Sequence, residues 1–579
     1  MPTPLVMGPN GYLIPDPKAD SVNGAIKCQQ ISGGDGYSTM ADGTQTYMFS
    51  FGPLSGLADI ANGLPGTEFP GIFNVQSPLP LSPGDPATTD NPTIPVSPAQ
   101  LAHFTYNGAV GLAPSVANLV TIYDIAEVGH TVYVQTNSPL GLNNGDPVVI
   151  SGAGAGYNGT WNVLATNVTT YPSGVTNYGF PAPNNFTFTV TATGLADLLE
   201  SSTATAGIPS GYDGHVDPRP IMDVGVMNGN IPAPLMAIDE DDEFFLTLTN
   251  VGMIMRPDLF EQHTVHFHGY PNASSFYDGV PDASVAINIG ASFTYYYLAP
   301  DAGTYFFHCH ISPPEHLQMG MVGQIYVRPR QDRVKAGTSL YAALQAQQLD
   351  NRTKCDSTSD ILCSNPLPPS NSATALPTIV SSATPSTAGY AYNDGDGSTY
   401  YDVEYPIQIH GFDPNFHFVG MTFNPEGFAD MKDKYFLLNG RSYPDTVTPG
   451  PLYTQTVDGS NHFSQPLSAI INIPAGKRAL LRISDLDVSE FQTLASLGIP
   501  MQVIGYNAKL LRDQAGNNMY YTTNSITLGG GESLDVILDA SDTSKYPQGS
   551  VFYLYTPNLD HLSNDAENFG GLMTEVRIN

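Results

Sequence analysis

A chain of 579 residues is too long for one hydrophobic core and calls for two to four domains. Only 13% of its residues are charged, about half the usual share, while 57 Gly, 49 Pro, 32 Tyr and 26 Phe favour short strands and turns over long helices. A net charge of −33 argues against nucleic acid and anionic membranes as partners and attracts cations, and no run of about 18 apolar residues spans a bilayer.

The first residues, MPTPLVMGPNGYLIPDP, lack the basic and apolar regions of an export signal, so any such signal has been removed from this numbering. The acidic balance suits solubility outside the cell. Cys355 and Cys363 lie close enough to close a small disulfide loop in an oxidising compartment, whereas Cys28 has no assigned role. These features give an extracellular, cell-surface or periplasmic location. Sequons at Asn158, Asn167, Asn185, Asn272 and Asn351 permit glycosylation in a host that glycosylates.

Alternating or aromatic-rich runs between Gly, Pro and Asn turns predict strands from one end to the other. The first, QTYMFSF at 45–51, is followed by a long insertion, 53–220. The middle of that insertion, about 129–194, has its own strand pattern (TVYVQT, DPVVISG, YNGTWNVLA, NFTFTVTAT) and predicts a small β-sandwich module. Then come EFFLTLT at 243–249, SFTYYYL at 292–298, GTYFF at 303–307 and GQIYVRP, which ends a first copy near 330. The stretch 331–399 is rich in Ser, Thr, Pro and Ala and reads as a linker, with a helical candidate at 342–349. From 400 to 579 the order of runs repeats, through EYPIQIHGF, GKRALLRISD, SVFYLYTP and MTEVRIN. The expected fold is therefore all-β: two Greek-key sandwiches, residues 1–52 with 221–330 and residues 400–579, with the inserted module in the first.

Six of the thirteen histidines fall in two short segments, QHTVHFHG at 262–269 and FHCHISPPEHLQMGM at 307–321. A blue (type 1) copper takes two imidazoles and one thiolate in a trigonal set, with a weak, long thioether above them. In a Greek-key sandwich one imidazole comes from an upstream strand and the other donors from the loop at the end of a later hairpin. His263, Cys309, His316 and Met321 meet that need. Met319 competes for the axial position, and the five-residue step from His316 favours Met321.

The remaining four form two His-x-His pairs, His266/His268 and His308/His310, and on an extended strand each pair projects both rings to one face. His308 and His310 flank Cys309, giving an electron a short covalent route to a second copper site. Cys309, His308 and His310 are thus the candidate catalytic residues. Set against this, an isolated pair of histidines is more often a surface or core pair, and a lone Cys in a strand is usually a small buried hydrophobe. A tetrahedral zinc site would need neither a methionine nor so many histidines. His103, His130, His215, His410, His417, His462 and His561 read as solvated or packed.

HTVHFHG resembles the His-x-x-His-x-His-Gly motif of the multicopper oxidases, and HCHISPPEHLQMGM resembles their His-Cys-His…His…Met motif. Five residues rather than the usual three precede the second type 1 histidine, a spacing closer to the copper nitrite reductases. The resemblance, which belongs to the cupredoxin superfamily, extends through VMNGNIPAPLMAI, YDGVPDASVAINIGASFTYYYLAP and the second copy. It implies a type 1 copper that takes electrons from a reducing substrate, such as the cations Mn(II) or Fe(II), and passes them to a type 2/3 site where dioxygen is reduced. His266, His268, His308 and His310 would supply half of that second site. The matching segments of the second copy, FQTLASLGIPMQVIG and VFYLYTPNLDHLS, carry no paired histidines. A partner chain or homo-oligomer completes the site, or it binds fewer metals. Two other readings stay open: an extracellular mononuclear blue-copper protein for electron transfer or structure, and a nitrite reductase-like enzyme, in which His268 and His308 would match two type 2 ligands.

Overall fold

The computed structural model describes residues 5–7, 13–15, 26–54, 116–199, 203–209, 229–240, 242–253, 255–256, 259–269, 275–299, 301–334, 336–347, 373–376, 388–419, 427–456, 459 and 461–579. Two compact units are present: residues 1–110 with 215–579, and residues 111–214.

In the larger unit the first copy forms two four-stranded sheets. One holds β1 (Ile26–Thr39), β2 (Gln45–Pro53), β4 (Glu243–Gly252) and β6 (Ser292–Leu298), in the order β6-β4-β1-β2. The other holds β3 (Met236–Asp239), β5 (His266–Phe267), β7 (Gly303–His308) and β8 (Val322–Arg328), in the order β3-β8-β7-β5. A short helix, α1 (Pro313–Gln318), connects β7 to β8. Period-two alternation aims Phe244, Leu246 and Leu248 of β4 inward, where they share one core with Phe49 and Phe51 of β2, Phe307 of β7 and Ile325 and Val327 of β8.

The second copy repeats these pairings. β9 (Val403–Phe412) lies parallel to β11 (Arg478–Asp485), as β1 does to β4, and Ile471–Ile473 lies parallel to Met573–Ile578, as β3 does to β8. Helix α2 (Pro414–Val419) and strand β10 (Tyr435–Leu438) follow β9. Between the copies, Thr304 of β7 donates to Asp535 at 2.6 Å, Gln324 of β8 donates to the Arg482 carbonyl at 2.9 Å, and the buried Arg482 guanidinium lies 4.4 Å over the Tyr326 ring.

In the smaller unit the strands pair in the order 198–199, 116–128, 205–209, 147–151, 159–166, 185–189, 131–136, and 131–136 pairs back onto 116–128, closing a ring around a core of its own. Asn185 is buried there and its amide donates to the Val168 carbonyl, so that sequon is closed to modification in the folded chain, whereas Asn158 and Asn167 are exposed. In the stretch 331–399 the described part includes a helix, Leu340–Gln347, packed with Val334, Ala375 and Tyr390. Cys355, Cys363, Asn272, Asn351, His103 and His215 lie outside the described residues, as does the Cys28 side chain.

Leu246 is wholly buried between the sheets that carry the site. Leu246→Ala is expected to cost about 2–5 kcal/mol, read as a lower denaturant midpoint.

Candidate metal centre

The first donor set draws on three segments. An antiparallel bridge with Ile287 pins His263, through backbone hydrogen bonds of 3.1 and 2.9 Å, and its ring lies against Gly33. A Cβ at residue 33 would come 2.7 Å from the His263 Cδ2, so only glycine leaves the ring its place. Cys309 follows β7 directly, and its N–H donates to the Met321 carbonyl at 3.0 Å. The chain returns through α1, which carries His316, and then turns at Gly320, where φ is +109°. There the Met321 N–H donates to the His316 carbonyl at 2.9 Å.

These bonds bring the donor atoms of His263, Cys309 and His316 within 4.8 Å of one another. His316 Nδ1 stands 3.3 Å and His263 Nδ1 4.0 Å from the Cys309 sulfur, which also receives the Thr264 N–H at 3.4 Å. All three residues are fully buried, with the Phe49 ring edge-on to His316 at 5.1 Å. Met319 and Met321 are both buried in the surrounding core. On the outer side His316 Nε2 lies 3.7 Å from Glu261, a half-buried carboxylate.

The second donor set is built by sheet register. β5 pairs with β7 so that His266 stands opposite His308, and His268 follows two residues on, its N–H donating to the Phe306 carbonyl at 2.9 Å. Donor atoms of His266, His268 and His308 fall within 4.8 Å of one another, with His268 Nε2 and His308 Nε2 2.9 Å apart. His310 lies outside that trio, although its ring is 5.1 Å from that of His266. A carbonyl oxygen can only accept, so the 2.6 Å bond from His266 Nδ1 to the Asp278 carbonyl and the 2.7 Å bond from His308 Nδ1 to the Cys309 carbonyl fix both protons on Nδ1. Each Nε2 thereby keeps its lone pair, and that of His308 accepts from His268 Nε2 at 2.9 Å.

Electrostatics hold three of these imidazoles neutral and treat His316 differently. Burial, with His316 nearby, holds His263 well below its ordinary value; burial, with His268 nearby, does the same for His308; burial, with His266 and His310, brings His268 to about 4. Neutral imidazole is the form that binds a metal. At His316 burial also pulls downward, but the Cys309 sulfur and Glu261 outweigh it and push the group up to about 9. A proton there supplies the positive charge this pocket favours. Two imidazole nitrogens and a sulfur, buried and converging, suit a soft cation such as copper and leave little for a hard one.

The pattern in the sequence located every member of both sets. It did not reveal Glu261, Asp278 or Thr264, although Thr264 is next to His263 and Asp278 lies within the YDGVPD run. Nor did it reveal that His410, His417 and His561 are buried and hydrogen-bonded.

Residues 214–332 match the family model described as multicopper oxidase. Laccase abr2 of Aspergillus fumigatus is 33% identical over 109 residues, 18% of this chain and 17% of that protein. A copper-containing nitrite reductase of Rhizobium meliloti is 35% identical over 109 residues, 18% of this chain and 26% of that protein. The solved multicopper oxidase mgLAC overlaps 61% of this chain and 78% of its own, at 19% identity and a TM-score of 0.38. The curated matches thus span about a quarter or less of those proteins' length. Among the described residues no helix is long and apolar enough to cross a membrane.

His316 and His268 predict opposite pH responses in the copper-free protein. A folded value near 9 against 6.5 unfolded gives His316 a stabilising term that is full below 6.5 and lost as pH rises through about 9. A folded value near 4 gives His268 a term present above 6.5 and lost as pH falls toward about 4. Denaturant midpoints across this range should show His316→Gln flattening the alkaline limb and His268→Gln the acid limb.

Proposed function

We propose that the chain is a copper-dependent oxidase in which His263, Cys309, His316 and Met321 hold a type 1 copper and His266, His268, His308 and His310 belong to a type 2/3 copper site. The observation that carries this reading is the covalent adjacency of the two donor sets: one peptide joins His308 to Cys309, and the His308 Nδ1–Cys309 carbonyl hydrogen bond of 2.7 Å adds a second connection. Copper at such sites supplies one-electron transfer and the reduction of dioxygen to water.

The residues divide the work. Met321 would be the thioether donor to such a copper ahead of Met319, because its backbone is bonded to both Cys309 and His316, whereas the Met319 N–H is bonded to Glu315. The Thr264 N–H donates to the Cys309 sulfur and stabilises negative charge there. Asp278 orients His266. Glu261, 3.7 Å from His316 Nε2 and 31% exposed, gives a reducing substrate a place beside the first site, and a carboxylate there suits a metal cation such as Mn(II) or Fe(II).

The second donor set is half of what a trinuclear cluster takes, so a second copy of this chain or a partner chain is assigned the other half. The domain boundaries that go with this reading are 1–52 with 221–330 for the copper sandwich, 53–220 for the insertion, 331–399 for the linker and 400–579 for the second sandwich. The location assigned is extracellular, cell-surface or periplasmic. A second reading, a nitrite reductase-like enzyme with one metal at the second site, is favoured by the tight trio His266, His268 and His308 from which His310 stands apart.

Copper per chain, electron paramagnetic resonance and oxygen uptake with a reducing dye test the proposal together. More than one copper per chain, a blue band abolished by Cys309→Ser, and oxygen uptake abolished by His268→Gln with the blue band retained are expected. One copper, a blue band and no oxygen uptake would sink the oxidase reading, and nitrite consumption in its place would support the second.

A further inference from the structure

The loop that carries His316 and Met321 is tied to its own sandwich at its far end, where Ser50 donates to the Gly320 carbonyl and Cys309 to the Met321 carbonyl, but its start is lightly held. Helix α1 has only six residues, and Ser312 at its N-terminus sits in the left-handed region with φ of 38° and offers no side-chain cap. His263, by contrast, is held by a bridge on both sides of its peptide. Whatever else holds the end of α1 bears on how far His316 and the methionine lie from Cys309.

Gln318, two residues beyond His316, is buried to 1% exposure and is held entirely by the second sandwich. Its Oε1 accepts from His417 Nε2 at 2.9 Å and from the Asp413 N–H at 3.1 Å, while its Nε2 donates to Asp433. Its carbonyl accepts from His410 Nε2 at 3.0 Å. The Asp413 N–H can only donate, so the orientation of the amide is settled, and with it the His417 tautomer. These partners are themselves held. The His417 ring stacks at 5.3 Å and 7° on Phe412, Asp413 accepts from the N–H groups of Asn415, Phe416 and Lys432, and Ser489 donates to Asp433 at 2.5 Å.

We infer that the second sandwich, which lacks copper motifs, acts as a clamp on the first metal loop, with Gln318, His417 and Asp433 as positioning residues for the copper geometry at Cys309, His316 and Met321. The inference rests on the type 1 reading above for its spectroscopic consequence, but the clamp itself is a statement about the protein. Four hydrogen bonds, all with buried partners, converge on one residue between His316 and Met321. Loss of any of them leaves a buried polar group unpaired and lets the loop seek another position.

Two variants of the full chain test this: Gln318→Leu, which removes the side-chain bonds, and His417→Phe, which removes one donor while keeping the ring on Phe412. In the copper-loaded protein both are expected to change the intensity ratio of the two sulfur-to-copper absorption bands, to alter the copper hyperfine splitting and to move the midpoint potential in one direction. In the copper-free protein, amide exchange at residues 316–321 is expected to quicken about tenfold, as for the loss of one buried hydrogen bond. A folded variant with wild-type spectrum, potential and exchange overturns the clamp. Should Gln318→Leu fail to fold, His417→Phe decides alone. Should the wild-type protein show no sulfur-to-copper band, the type 1 reading fails by itself, and the exchange measurement still decides whether the clamp exists.

Discussion

Convergence of two imidazole nitrogens and a sulfur in a fully buried pocket is the constraint from which the rest of the first sandwich follows. Polar donors buried without water are costly unless other groups or a metal satisfy them. The fold meets that demand from three directions. Thr264 offers its N–H to the sulfur, Gly33 yields room to the His263 ring, and Phe49 closes the apolar side against both imidazoles. Gly33 and Phe49 share the β1–β2 hairpin, but Thr264 and Cys309 come from distant segments, so neither a single helix nor a single hairpin could assemble the pocket. Two facing sheets can.

Strand β7 then ties this pocket to the second donor set. Its last residue, His308, joins His266 and His268 through the pairing with β5, and the next residue, Cys309, faces the sulfur pocket. Successive side chains on an extended strand point to opposite sides, so one peptide serves two sites without either set intruding on the other. The His308 ring reinforces the arrangement by bonding to the carbonyl of Cys309, which fixes its tautomer and its orientation together. The separation of the two residues is thereby set by one peptide, and the ring hydrogen bond limits how far His308 can rotate.

What could be read from the sequence was whatever depends on local spacing. Strand runs such as EFFLTLT and SFTYYYL fall on β4 and β6 because alternation is a short-range signal, and the donor residues were legible because Cys309, His316 and the methionines share one loop. Spacing also drew attention to both methionines; it favoured Met321 only by five positions against three. The unseen features all depend on tertiary pairing. Asp278 bonds to His266 from 12 residues on, Glu261 meets His316 from a different segment, and the partners of Gln318 lie 92 to 115 residues away. The buried state of Asn185 was hidden for the same reason: a sequon is a local pattern, whereas exposure is a property of the fold.

The two copies share their strand pairings yet use histidine in different ways, and the chemistry of the ring explains how. In His266 and His308 the Nδ1 proton is committed to a backbone carbonyl, which turns each Nε2 lone pair toward other imidazoles. In His410 and His417 it is Nε2 that donates, to the oxygens of Gln318, and each Nδ1 is left buried without a partner. Neither ring belongs to a group of three donor atoms among the described residues. A histidine whose outward nitrogen meets no further donors cannot gather a cation, however many histidines its domain contains. The copy without paired histidines uses imidazole instead as an N–H donor to Gln318, on the loop of the other copy that carries His316 and Met321.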